Sequence, residues 1–220
     1  MIRFDNPQEY HTRKPFPYLT GRFTDEDLLK KVVSEFPDIV GTPYAERTFS
    51  NQNEKKSVSR KLSESAKKVM EFCYSAEFMD ELSKITGIPF LLPDPDLVGG
   101  GYHAHGPGGV LGMHTDFNRL PDGPYRRLNV LIYLNDGWRQ EWGGQLVLRK
   151  NGEEVQINPF FGVVALLRVS NGCFHGVPNV IRCPAGNARK SLAFYYYSKT
   201  SASGNDEPFV DTVFKKREEI

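Results

Sequence analysis

The stretch "GVLGMHTDFNR" at 109–119 places His114 and Asp116 two residues apart at the end of an apolar run. Side chains two apart on a strand leave the same face. The pair can therefore aim an imidazole and a carboxylate at one point, and both groups ligate divalent metals. Either residue alone is ordinary in a surface turn, so the reading requires a third ligand from elsewhere. The chain has five histidines: His11, His103, His105, His114 and His175. His11 sits in a polar N-terminal stretch and reads as a surface residue. His175 follows "FGVVALLRVSNGCF", an apolar strand and a tight Asn171-Gly172 turn. A histidine there can face inward from a rigid strand.

Two neutral imidazoles and one carboxylate form the facial ligand set of non-haem Fe(II) oxygenases. Three positions stay open on the ion. A 2-oxo acid can take two and dioxygen the last, while Asp116 cancels one of the two metal charges. The far carboxylate of such a co-substrate needs a cation in a dry pocket, and the planar fork of arginine suits it. Downstream of His175 the candidates are Arg182, Arg189 and Lys190. Alternation in "RKSLAFYYYS" puts Arg189, Ser191, Ala193 and Tyr195 on one face, with small residues beside the arginine. Arg182 lies in the Pro/Gly-rich "RCPAGNA" hairpin, and Lys190 faces the other way. In "RRLNVLIYLNDGW", Asn129, Leu131 and Tyr133 share one face, and Leu128, Val130, Ile132 and Leu134 share the other. Tyr133 can donate a hydrogen bond to a carboxylate.

Those residues need elements to carry them. Leu28, Leu29, Val32 and Val33 fall at helical spacing after Thr24, the expected N-cap, and Pro37 stops that helix. Two more helices are expected near 63–74 and 76–86, the second capped by Ser75 and closed by Gly87. Polar residues over 45–62 suggest a surface excursion that could act as a lid. After residue 88, glycine and proline become frequent and apolar runs shorten. Strands are expected at 15–20, 89–92, 97–105, 110–115, 127–135, 144–150, 153–157, 162–168, 173–181 and 190–198. The expected class is mainly β with N-terminal helices. The expected organisation is one domain over 1–220: helical support at 1–88, a β core at 89–200, and a tail at 201–220 that docks as a short helix or frays.

The chain has 220 residues, 39% hydrophobic and 12% aromatic, with a formal net charge of +1. That suits one sizeable core and gives no electrostatic grip on nucleic acid or anionic membrane. Cys73, Cys173 and Cys183 are an odd, sparse set that makes no disulfide framework. No secretory signal or membrane span is read, so a reduced, cytoplasmic protein is expected. Cys173 reads as a buried, unreactive thiol. The glycines at 99–101 and 106–109 lack the lysine and helix start of a phosphate loop, and read as places of close backbone approach.

In this order, "HTD", "RLNVLIYLN", "GGQLVLR", His175 and "RKSLAFYYY" resemble the Fe(II)/2-oxoglutarate-dependent oxygenases, in their prolyl 4-hydroxylase-like branch. "KPFPYLTGRFTDEDLLKKVVSEFPD" is similar to the branch's opening strand and first helix. The resemblance implies a double-stranded β-helix, or jelly roll, with helices packed on one sheet. It implies His114, Asp116 and His175 as iron ligands, and Arg189 with Tyr133 and Ser191 around 2-oxoglutarate. The branch often carries a tyrosine nine or ten residues before the first ligand. Here "YHAHG" offers His105 for that contact, with His103 on the same strand face. The branch also often anchors with lysine, where this chain has arginine. The implied chemistry is oxidative decarboxylation to succinate and carbon dioxide with hydroxylation of a substrate C–H bond, ascorbate being a candidate reductant. Asp116 favours hydroxylation over halogenation, since halide normally needs its place.

Two alternatives stand beside this reading. His103 and His105 form an HxH pair that could join His175 in a cupin-type centre, or the chain could be a jelly-roll binding module without catalysis. The expected substrate is a small molecule or short peptide, faced by the 45–62 segment, Asn118, Arg119, Arg126, Trp138 and His103. Arg119 or Arg126 is a candidate partner for an acidic substrate group, or else a solvated loop charge.

Overall fold

The computed structural model describes residues 1–38, 56–120, 123–201, 203–205 and 207–220. Among the described residues thirteen strands run in chain order: β1 (Ile2–Phe4), β2 (Tyr18–Phe23), β3 (Lys56–Ser59), β4 (Leu92–Pro93), β5 (Gly101–His105), β6 (Leu111–Thr115), β7 (Tyr125–Tyr133), β8 (Leu146–Lys150), β9 (Glu153–Ile157), β10 (Val163–Arg168), β11 (Phe174–Val177), β12 (Arg189–Ser198) and β13 (Val213–Phe214). Three α-helices, α1 (Glu26–Ser34), α2 (Glu64–Cys73) and α3 (Ala76–Thr86), lie between β2 and β4 in sequence. The strands form two antiparallel sheets. The larger has the order β1-β2-β10-β7-β12-β5-β3, with β4 also on β12, and the smaller β13-β6-β11-β8-β9. This is the jelly roll that the sequence leads one to expect.

Alternation decides what each sheet face buries. On β10, Val164 and Leu166 join Val130, Ile132, Phe194 and Tyr196 in a core under the helices, which contribute Leu29, Val32, Val69, Phe78 and Leu82. Ala165 and Leu167 turn the other way, to Tyr133, Leu146, Leu148 and Ile157 between the sheets. Burial on both faces explains why β7, β10 and β12 read as near-continuous apolar runs. The helix boundaries follow local chemistry. Ser63 and Ser75 cap α2 and α3 by accepting from Ala66 N and Phe78 N, and Gly87, at φ +68°, closes α3.

Several expectations need correction. Asp25, not Thr24, caps α1 by accepting from Leu28 N at 3.0 Å, while the Thr24 hydroxyl donates to Met1 O. The first strand expected at 15–20 lies at 18–23. Residues 56–59 of the supposed excursion form an edge strand on β5; the rest of its first part, 45–55, lies outside the described residues. The tail adds β13 to β6 and ends in a 3-10 turn at Arg217–Glu219, so it docks as strand. Among the described residues no helix is long and apolar enough to cross a membrane.

Candidate active site

β6 and β11 are direct neighbours, and their register puts His175 opposite His114. The strands approach closely there because Gly176 has no side chain. A Cβ on it would stand 2.7 Å from Gly112 O and 2.8 Å from Leu111 O. Each histidine turns Nδ1 to a backbone carbonyl two residues earlier, His114 to Gly112 O at 2.9 Å and His175 to Cys173 O at 3.4 Å. That leaves each Nε2 for the interior, the arrangement in which a second hydrogen bond fixes the ligating tautomer.

Asp116 completes the group. Its Oδ1 lies 3.7 Å from His114 Nε2 and its Oδ2 lies 3.5 Å from His175 Nε2. Two donors each about 2.1 Å from one ion stand at most about 4.2 Å apart, so each imidazole is within reach of a metal held by the carboxylate, and one ligand atom from each of the three residues lies within 4.8 Å of the others. These three residues are the only metal-competent group of His, Cys, Asp and Glu among the described residues. Burial pushes the Asp116 carboxyl up. The charge of Arg126, then those of His175 and His114, with the Asn129 hydrogen bond, outweigh burial and hold it well below the usual carboxylate range. Asp116 is therefore an anion at any physiological pH.

Arg189 is buried on β12 and fixed by Nε donating to Gly144 O at 2.6 Å and Nη2 donating to Tyr133 Oη at 3.2 Å. No carboxylate pairs with it among the described residues. A buried guanidinium without an anion is costly, and an incoming carboxylate would remove that cost. Tyr133 is fully buried beside it; burial raises its phenol pKa, so it stays a proton donor. Ser191 faces Tyr133 across β12 and β7, and His103 across β12 and β5; Arg189 likewise faces His105. The residues thus fit both a divalent metal and a dicarboxylate.

The remaining candidates are placed otherwise. Arg126 lies within the sheet on β7, 4% exposed, and reaches Asp116 Oδ2 at 3.2 Å; it is neither a loop charge nor solvated. Asn118 is held by the tail, donating to Pro208 O and accepting from Val210 N. Arg119 donates to Glu207 O and to Tyr125 Oη. Trp138 donates to Gly143 O and packs with Trp142, Val177 and Ile181. His103 bonds Gly99 O through Nε2 at 2.8 Å, and neither it nor His105 joins a metal-competent group, so the cupin-type centre does not form among the described residues. Cys173 is buried, free, and raised in pKa by burial. Asn129 and Phe214 were not anticipated. Asn129 donates to Asp116 Oδ2 at 2.7 Å, and Phe214 lies against the His114 ring at 5.1 Å. The signal for Asn129 was a lone amide in the apolar run "RLNVLIYL"; Phe214 left none.

Residues 100–197 match the family model of the 2OG-Fe(II) oxygenase superfamily. This segment is a 2OG-Fe(II) oxygenase domain. It contains all three metal-site residues and Arg189. Among curated proteins no sequence matches. Solved structures share the fold. A Pseudomonas putida prolyl-4-hydroxylase aligns at TM-score 0.54 and 20% identity over 82% of this chain and 91% of its own. A Trichoplax adhaerens prolyl hydroxylase, in complex with a hypoxia inducible factor peptide fragment, aligns at 0.58 and 17% over 87% and 86%. HygX from Streptomyces hygroscopicus, with nickel, 2-oxoglutarate and hygromycin B bound, aligns at 0.55 and 14% over 90% and 93%.

Proposed function

We propose that this oxygenase acts as one unit over 1–220 and hydroxylates an unactivated C–H bond of a small molecule, amino acid or short peptide. The observation that carries the reading is the convergence of His114, Asp116 and His175 on one point, with one ligand atom from each within 4.8 Å of the others. Those three side chains hold Fe(II). Arg189 anchors the distal carboxylate of 2-oxoglutarate, Tyr133 donates a second hydrogen bond, and Ser191 and His105 line the same pocket. Bound there, the metal and co-substrate would supply oxidative decarboxylation to succinate and carbon dioxide coupled to oxygen transfer from dioxygen, with ascorbate as a candidate reductant. Gly112 O and Cys173 O keep the histidine rings aimed. The sheets around Tyr133 and Arg189 keep water from the buried anchor. His103 lies on the pocket face of β5, where it can meet substrate. Three free, buried cysteines support a reducing, cytoplasmic setting.

Anaerobic Fe(II) with 2-oxoglutarate is expected to give a visible charge-transfer band, and a binding module without the centre stays colourless. Succinate release is then screened over metabolites and short peptides, with His114→Ala as the blank. No band, or equal succinate from His114→Ala, removes the reading.

A further inference from the structure

We infer that Arg126 and Asn129 form a clamp that reserves one oxygen of Asp116, Oδ1, for the metal and withholds the other. The inference rests on the proposed metal site. Both donors meet at the same atom: Asn129 Nδ2 at 2.7 Å and Arg126 Nη2 at 3.2 Å from Oδ2. Asn129 donates a hydrogen bond to Oδ2, and the Arg126 guanidinium pairs its charge with the same atom. Oδ1 receives no hydrogen bond among the described residues and lies 3.7 Å from His114 Nε2; Oδ2, besides Asn129 and Arg126, lies 3.5 Å from His175 Nε2. A carboxylate free to turn can ligate through both oxygens. Here that would consume one of the three positions that a 2-oxo acid and dioxygen need. Engaging Oδ2 with the Asn129 hydrogen bond and the Arg126 charge leaves Oδ1 as the single ligating oxygen.

The clamp is built, not incidental. Nε and Nη2 of Arg126 also donate to Asn129 Oδ1 at 3.0 and 2.9 Å, so the amide is oriented by the guanidinium and turns its NH₂ to Asp116. The guanidinium carbon stacks 3.5 Å from the centre of the Tyr195 ring and 4.7 Å from that of Phe117. Tyr195 is itself tied by its hydroxyl to Gly99 O at 2.9 Å. Strict alternation from Asn129 would bring Arg127 to the inner face. The register between β7 and β12 shifts at this point, from Leu128 opposite Tyr196 to Arg126 opposite Tyr197. That bulge re-aims the strand so that Arg126 reaches Asp116. Arg127 instead donates to Ser198 Oγ and Thr200 O.

The test uses the full chain loaded with Co(II), whose absorption and X-ray absorption spectra report coordination. Variants are Asn129→Ala, which removes no charge, Arg126→Met, and Arg126→Lys as the conservative rescue. Loss of a residue that orients a metal ligand costs about 10–100-fold in metal affinity. Asn129→Ala and Arg126→Met are expected to fall in that range for Co(II), to add an oxygen to the Co(II) shell and to bind 2-oxoglutarate more weakly. Arg126→Lys should recover part of each. Folded variants that melt lower but keep wild-type Co(II) spectra and affinities overturn the clamp. A crystal structure of Co(II)-loaded wild type decides it without any variant: ligation through Oδ2, or through both oxygens, overturns it. If wild type gives no Co(II) spectrum distinct from His114→Ala, the metal-site reading itself fails and the clamp with it. A wild-type spectrum that Asn129→Ala leaves unchanged sinks the clamp alone.

Discussion

At the scale of single residues, Arg126 and Arg189 are both buried, and the chain satisfies them differently. Arg126 has Asp116; Arg189 has a carbonyl and a phenol but no anion among the described residues. Burial presses the Arg189 pKa down, and its partner Tyr133 only partly offsets this. A carboxylate arriving at Arg189 gains a charged, desolvated partner. Arg189→Met should therefore weaken 2-oxoglutarate binding by about 2–5 kcal/mol, roughly thirtyfold or more, the usual cost of truncating one side of a buried charge pair. Metal affinity in the absence of 2-oxoglutarate should be unchanged, because Arg189 touches no ligand. Isothermal titration of metal-loaded protein with 2-oxoglutarate checks the first statement and metal titration the second. A variant with unaltered 2-oxoglutarate affinity would move the anchor elsewhere. The buried placement of Arg189 was legible in the sequence because β12 alternates cleanly. The purpose of Arg126 was not, because a bulge beside it changes which residues face inward.

At the scale of elements, the proposed metal site depends on how tightly β6 and β11 approach. The pair shifts register between His175 and Val177, and Gly176 lies in that irregularity. Alanine there would thrust a methyl to 2.7 Å from Gly112 O, whose oxygen also aligns the His114 ring. Backbone cannot yield as a flexible side chain can, so Gly176→Ala should cost about 1–3 kcal/mol of stability, as overpacking does. It should also separate His175 from His114 and weaken metal binding beyond the loss of stability. Melting with and without Fe(II) or Co(II) checks both effects; the metal-induced rise in melting temperature should shrink. An unaltered rise would show that the histidines tolerate a wider spacing. Of the strands around this site, β7 and β12, nine and ten residues long, read well from sequence because they pack side chains on both faces. The elements missed, β1, β3 and β13, are short edge pieces held by backbone pairing, which leaves little trace in side-chain type.

Across the whole molecule, the two sheets are buried unequally. Helices cover the outer face of the larger sheet, while the smaller one is flanked by the returning tail. Without β13, β6 would be an edge strand carrying two metal-site residues at or beside its end. The tail is tied at both ends. Asn118 and Arg119 hold residues 207–210, and Lys215 N donates to Met113 O. Beyond them Glu154 on β9 pairs with both Arg217 and Arg149. Burial raises the Glu154 pKa, but hydrogen bonds from Arg217, Arg149 and Gln156 carry it below its ordinary value of 4.5. A carboxyl lowered on docking stabilises the docked state fully above that ordinary value, and the contribution disappears as pH falls through the lower folded one. The last turn of the tail should thus loosen below pH 4.5, before the sheets melt. The Lys215 and Arg217 amide resonances should report it by nuclear magnetic resonance. In Glu154→Gln they should begin closer to the loosened position and move little between neutral and acid pH. Equal acid shifts in both proteins would assign the transition to another carboxylate of the tail, and no shift in wild type would mean that backbone pairing with β6 holds the strap without Glu154.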